Sequence, residues 1–150
     1  MISLPKLTFL AILIGLLTPG LAQEEKTLNV LFIGNSYTAR HNLADNVKAM
    51  AEEGNPGVTF KPDMVIYGGR TLSDHWQLGT QNVVKLHALT AEEVEASLAT
   101  LNAGFENAKM NSYVKSAVTR QKQLLEGIGK PHPKWDVVVL QSYRDDLDGE

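Results

Sequence analysis

Residues 29–43, NVLFIGNSYTARHNL, decide how this chain folds. Val30, Leu31, Phe32 and Ile33 form an unbroken apolar run that ends at Gly34-Asn35-Ser36. A run without polar alternation predicts a strand over 28–33 buried on both faces, the pattern of parallel sheets covered by helices. Downstream, Leu43, Val47, Met50 and Ala51 recur at helical spacing and predict an amphipathic helix over 42–53, closed by Gly54-Asn55-Pro56-Gly57. A strand that turns sharply into a helix leaves Ser36 at the bend. Three uses fit a serine there: a nucleophile close to helix amides, part of a phosphate cradle, or a helix cap.

The rest of the chain extends the pattern. VTFKPDMVIYGG (58–69) reads as a second extended stretch ending in a glycine pair, and TLSDHWQL (71–78) as the start of a loop or helix. Thr90 and Glu93 have capping-box spacing, followed by Val94, Leu98 and Leu101 on one helical face. A further helix is predicted over 111–126 with Val114, Val118, Leu124 and Leu125 as its apolar side; Gly127, Gly129, Pro131 and Pro133 end it. WDVVVLQ (135–141) reads as another doubly buried strand. Strands separated by helical segments indicate an α/β domain over 23–150: a parallel sheet with helices on both faces, the flavodoxin-like three-layer α/β/α arrangement.

In such sheets ligands bind beyond the C-terminal ends of the strands. Three polar or glycine-rich clusters fall there: GNSY after the first strand, YGGRTLSDHW after the second and QSYRDD after the last. In the second, Gly68-Gly69 serves either as a turn or as backbone that can approach a ligand and offer it an N–H. In the third, Gln141 follows an apolar run and must find a partner or face a cavity.

Composition narrows the function. The 150 residues are 43% hydrophobic and 21% charged, with a net charge of −3, so nothing suggests nucleic acid as a partner. There is no cysteine, which excludes disulfides and cysteine lipidation. No His/Asp/Glu set has metal-ligand spacing, so no metal is expected, and no phosphate-binding G-x-x-x-x-G-K-[ST] motif occurs. The N-terminus carries Lys6, an apolar stretch LTFLAILIGLL over 8–18, a Pro19-Gly20 break and Ala22. That pattern predicts a signal peptide over 1–22, a mature start near Gln23, export to the periplasm or medium, and no stable membrane anchor after cleavage. The alternative is an uncleaved anchor, for which the stretch is short.

LFIGNSYT, GGRTLSDHW and WDVVVLQS together resemble blocks I, II and III of the SGNH, or GDSL-like, hydrolases, in the variant that has GNS in place of GDS. The resemblance runs in order from about 28 to 145. It implies a serine esterase without cofactor, acting on a small-molecule or carbohydrate ester. By position, Ser36 matches the nucleophile, with its own N–H in the oxyanion hole. Gly69 matches the block II glycine that offers a backbone N–H, and Gln141 stands where the family places a side-chain amide donor, usually an Asn. Ser142 or Arg144 could align there instead. Asn35 replaces the acidic residue of GDS; Gly68, His75, Trp76 and Ser142 fall at the pocket wall, with Trp76 as rim packing or a sugar platform.

The family's DxxH block, which supplies the Asp and the His, has no counterpart here. His41, His75, His87 and His132 are the four histidines, and none lies in such a pattern. The expectation is that the fold continues beyond Glu150 with a strand-helix unit bearing that Asp and His, and that the 150 residues alone hydrolyse weakly or not at all. Two other readings compete. One is a flavodoxin-like domain whose GNSYTARHN loop holds the phosphate of FMN. The other is a non-catalytic carbohydrate-binding module that keeps the fold without the triad.

Overall fold

The hydrophobic run Val30–Ile33 lies at the centre of the sheet. In this computed structural model, which describes residues 25–142, strand β1 spans Lys26–Gly34. Its two neighbours are β2, Val58–Ile66, and β3, Val137–Leu140, in the order β2-β1-β3 with both pairings parallel. The expected signal peptide and everything from residue 143 on, Arg144 included, lie outside the described residues.

Six α-helices fill the connections: α1 Ser36–Ala39, α2 Leu43–Gly54, α3 Leu72–Gln77, α4 Thr80–Val84, α5 Ala91–Ala103 and α6 Ala108–Gly127. Side chains of β1 alternate between two cores. Val30 and Phe32 meet Ala44 of α2 and Phe60, with Val47 and Ala51 against them. Leu31 and Ile33 meet Val65, Tyr67, Leu78, Val83, Leu101, Met110 and Ala117, supplied by β2 and the α3–α6 side. The continuous apolar run is thus explained: each face of β1 is roofed by helix, giving three layers, α2 on one side and α3–α6 on the other.

The two outer strands differ from β1 for a physical reason. Among the described residues β2 is an edge strand, and of its nine residues Phe60 and Val65 are buried, without a continuous run. Pro62 is tolerated there, opposite Val30, because a residue without an N–H can face the open side of an edge strand. β3, expected to be doubly buried, is half-exposed: Val137 and Leu140 are 46% and 58% accessible. Among the described residues nothing pairs with its outer edge.

One helical face and one helix start differ from the expectation. In α2 the expected stripe of Leu43, Val47, Met50 and Ala51 is rotated: Leu43 and Met50 point outward, and Ala44, Val47 and Ala51 pack on the sheet. The cause lies upstream. His41 and Asn42 both take left-handed φ angles, 57° and 52°, so the helix restarts at Leu43 in a new direction. Helix α6 begins at Ala108, three residues before the expected start, with Asn107 as its side-chain cap. The capping box of Thr90 and Glu93 is present, whereas α4 is not evident from the sequence.

A polar staple ties α4, α5 and α6 together beneath the larger core. Asn82 Nδ2 donates to Gln121 Oε1 at 2.7 Å and to Ser97 Oγ at 2.9 Å, and Gln121 Nε2 donates to the Gly79 carbonyl at 2.9 Å. Both Asn82 and Gln121 are buried, so the network stabilises only because their donors are satisfied.

The contrast between central and edge strand is measurable. Leu31→Ala should destabilise the protein by about 2–5 kcal/mol in urea unfolding, whereas Leu140→Ala should cost less than about 1 kcal/mol. Equal losses at the two positions would contradict the difference in burial between β1 and β3.

Candidate active site

Asn35 is the residue around which the strand ends are assembled. It is fully buried. Its Oδ1 accepts from the Tyr37 N–H at 3.1 Å, which makes Asn35, not Ser36, the N-cap of α1. Its Nδ2 donates to the Arg70 carbonyl at 3.3 Å, after β2, and its backbone N–H donates to Gln141 Oε1 at 3.3 Å, after β3. One side chain and its own amide therefore join all three clusters. An aspartate in this place could accept from Tyr37 but, ionised, could not donate to Arg70.

Ser36 is the first residue of α1 and half-buried. With the cap supplied by Asn35, the serine hydroxyl is not needed for capping. The first N–H groups of a helix have no partner within it, so they are the local donors at this bend. Since α1 is a single turn of four residues, any electrostatic help comes from those individual N–H groups and little from a macrodipole.

Gln141 ties the turn down. Its Oε1 also accepts from Thr38 Oγ1 at 3.0 Å, and its Nε2 donates to the Ser142 carbonyl. The carboxamide orientation follows from its neighbours, because Asn35 N–H can only donate. One amide hydrogen thus goes to Ser142, and a donor role for Gln141 falls to the second hydrogen of the same NH2. The backbone continues the ladder through Gln141 N–H to Ile33 O at 2.9 Å, and Ser142 Oγ accepts from the Leu72 N–H at 3.4 Å.

Gly34 must be glycine for this packing. A Cβ there would overlap Thr38 Oγ1 and lie 3.1 Å from Gln141 Oε1. The second cluster forms a turn closed by Arg70 N–H to Tyr67 O at 3.2 Å, with Gly69 in the left-handed region at φ 63°. Tyr67 N–H donates to Gly34 O at 3.0 Å, and Tyr113 OH holds Gly68 O at 2.8 Å, which places Gly69 at the same end of the sheet as Ser36. Thr71 and Asp74 then cap α3 reciprocally, so the TLSD stretch, expected as a loop or helix start, is a capping box. Thr38, Arg70 and Tyr113 are the contributors that sequence reading missed, because each acts through a partner far away in the chain.

His75 is buried at 2% exposure between two partners. Nε2 lies 2.9 Å from the Gly34 carbonyl, an acceptor, so the proton sits on Nε2; Nδ1, 3.2 Å from Thr80 Oγ1, accepts from that hydroxyl. Burial holds its pKa below the usual histidine value, against the opposing pull of the Gly34 bond. His75 is therefore a neutral post under the Ser36 turn, with neither nitrogen open to take a proton. Trp76, 65% exposed, lines an apolar groove of about 380 Å³ with Ile33, Leu72, His75, Val138 and Leu140. His41 is exposed, in the strained turn beyond α1. His132 Nε2 bonds the Gly127 carbonyl at 2.7 Å and, with His87, borders a separate pocket near Leu124 and Ile128. Among the described residues no group of three His, Cys, Asp or Glu side chains could hold a metal. Nor is any helix there long and apolar enough to cross a membrane.

No protein-family model, curated protein or solved structure matches this chain.

Two outcomes test this geometry. Asn35→Asp should lower stability by about 1–3 kcal/mol near neutral pH, because a buried carboxylate faces the Arg70 carbonyl without a proton to give it. The deficit should narrow in acid, where the protonated carboxyl regains a donor; calorimetry across pH checks both. His75, whose folded pKa is depressed, binds a proton more readily when unfolded. Stability should therefore fall as pH drops below about 6.5. His75→Gln should flatten that slope in thermal melts recorded from neutral to mildly acidic pH.

Proposed function

We propose that this chain carries blocks I to III of an exported serine esterase of SGNH type. It would hydrolyse carboxylic esters, with acyl groups on carbohydrates as the substrate class. The observation that carries the reading is the meeting of Arg70 and Gln141 on Asn35, the residue before the half-buried Ser36, at the C-terminal end of the central strand. These residues come from the three motifs whose order resembles that family. Export rests on the pattern of residues 1–22.

In this mechanism Ser36 Oγ attacks the ester carbonyl carbon, and a histidine base takes its proton. The tetrahedral oxyanion is met by the backbone N–H groups of Ser36 and Gly69, joined by the second N–H of the Gln141 amide. Collapse expels the alcohol with a proton from the histidine, and water then releases the acyl group by the same steps. Both His75 nitrogens are engaged, so the base and its Asp partner come, in this reading, from a downstream DxxH block. Asn35 takes the position of the acidic residue of GDS and serves as cap and clamp.

A second reading, a non-catalytic carbohydrate-binding module of the same fold, draws support from that engagement of His75.

Hydrolysis of p-nitrophenyl acetate separates them. The assay is run on the 150-residue chain and on a chain extended past Glu150, each beside its Ser36→Ala variant. The esterase reading expects activity in the extended chain that drops at least about 10³-fold on substitution. Serine-dependent activity of full size in the 150-residue chain would overturn the assignment of the base. No serine-dependent activity in either would favour the binding module.

A further inference from the structure

A pocket of about 450 Å³ lies between the turn after β2 and the start of α6. Gly68, Arg70, Ala108, Lys109, Ser112 and Tyr113 line it. Gly68 and Arg70 flank Gly69 in the chain, and the Arg70 carbonyl is the one held by Asn35. The pocket is thus built into the same turn that would present the Gly69 N–H to a substrate.

Its charge is one-sided. Among the described residues the lining includes two cations and no carboxylate. The Arg70 side chain is only 13% exposed; among the described residues its ion-pair partner is Asp74, with Nη1 3.6 Å from Oδ2, beyond hydrogen-bond range. That same oxygen accepts the Thr71 N–H at 3.1 Å in the α3 capping box. Arg70 Nε is buried without a hydrogen-bond partner. Lys109 has no ion pair among the described residues and is exposed. Two like charges in one pocket repel, and an anion relieves that repulsion while gaining both attractions.

The hydroxyls complete the chemistry. Tyr113 OH donates to Gly68 O at 2.8 Å and Ser112 Oγ to Lys109 O at 2.7 Å. Their protons are used, and their oxygens still accept, which suits the O–H groups of a sugar.

We propose that this pocket binds the anionic group, carboxylate or sulfate, of an acidic sugar, and so selects acidic carbohydrate esters at Ser36. Its role in substrate choice rests on the esterase reading; the binding itself does not.

Amide NMR titration of the protein with glucuronate, with a sulfated glucose and with glucose tests it. At least one of the two acidic sugars should move the Gly68, Gly69, Lys109 and Ser112 signals saturably, with an affinity that falls as ionic strength rises. Glucose should not, and the tighter of the two acids identifies the anion. Lys109→Met, at an exposed position that does not endanger folding, should weaken the acid about two- to fivefold, and Arg70→Gln, if it folds, should weaken it as well. Acidic-sugar binding that persists in a protein with no Ser36-dependent hydrolysis supports the pocket and removes only its catalytic role. Equal response to glucose, signals moving elsewhere, no response to either acid, or an unchanged affinity in Lys109→Met overturns it.

Discussion

The buried carboxamide of Asn35 is the constraint on which the candidate site depends. It caps α1, reaches the carbonyl after β2, and belongs to the residue whose amide meets Gln141 after β3. Each bond alone contributes about 1 kcal/mol net, but leaving any of these buried groups unpaired costs more. The three strand ends therefore share one network, in which a change at any one is felt by the other two. Ser36 directly follows Asn35 in the chain, and the cap supplied by Asn35 spares its hydroxyl that role.

Rigidity below the turn comes from a different source. Gly34 admits Thr38 and Gln141 to within contact, and its carbonyl receives both the Tyr67 N–H and the His75 Nε2 proton. A neutral, buried histidine under the strand end acts as a support, and the ring packing of Tyr67 on His75 at 4.9 Å and on Tyr113 at 5.3 Å carries that support to α6. The Asn82–Gln121 staple then holds α4 and α5 to the same helix. Helix α6 thereby links the core, the Gly68-Gly69 turn and the cationic pocket.

What could be read from sequence follows from the range of each interaction. β1 is legible because burial on both faces leaves an unbroken apolar run, and the Thr90–Glu93 box because capping is local. The apparent stripe of α2 misleads because two left-handed residues, His41 and Asn42, reset the helix direction, and neither is a glycine that would signal it. β3 reads as doubly buried because its composition is apolar, whereas its exposure depends on what lies beside it in the sheet. The identity of the cap is hidden by adjacency: Asn35 and Ser36 are both good caps, and only the bonds to Arg70 and Gln141 decide between them. Such long-range bonds leave no periodic trace in a single sequence. The α/β fold with its three-stranded parallel sheet was therefore legible from local patterns. The wiring of the site came only from the structure.

Hydrogen exchange of Asn35→Ala beside the native protein tests the clamp most directly. If Asn35 joins the three turns, exchange should accelerate together in 36–39, 68–72 and 141–142, while α5 and the core of α6 keep their protection. Acceleration confined to 36–39 would show that Asn35 is a helix cap and nothing more, and would contradict a network shared by the three strand ends.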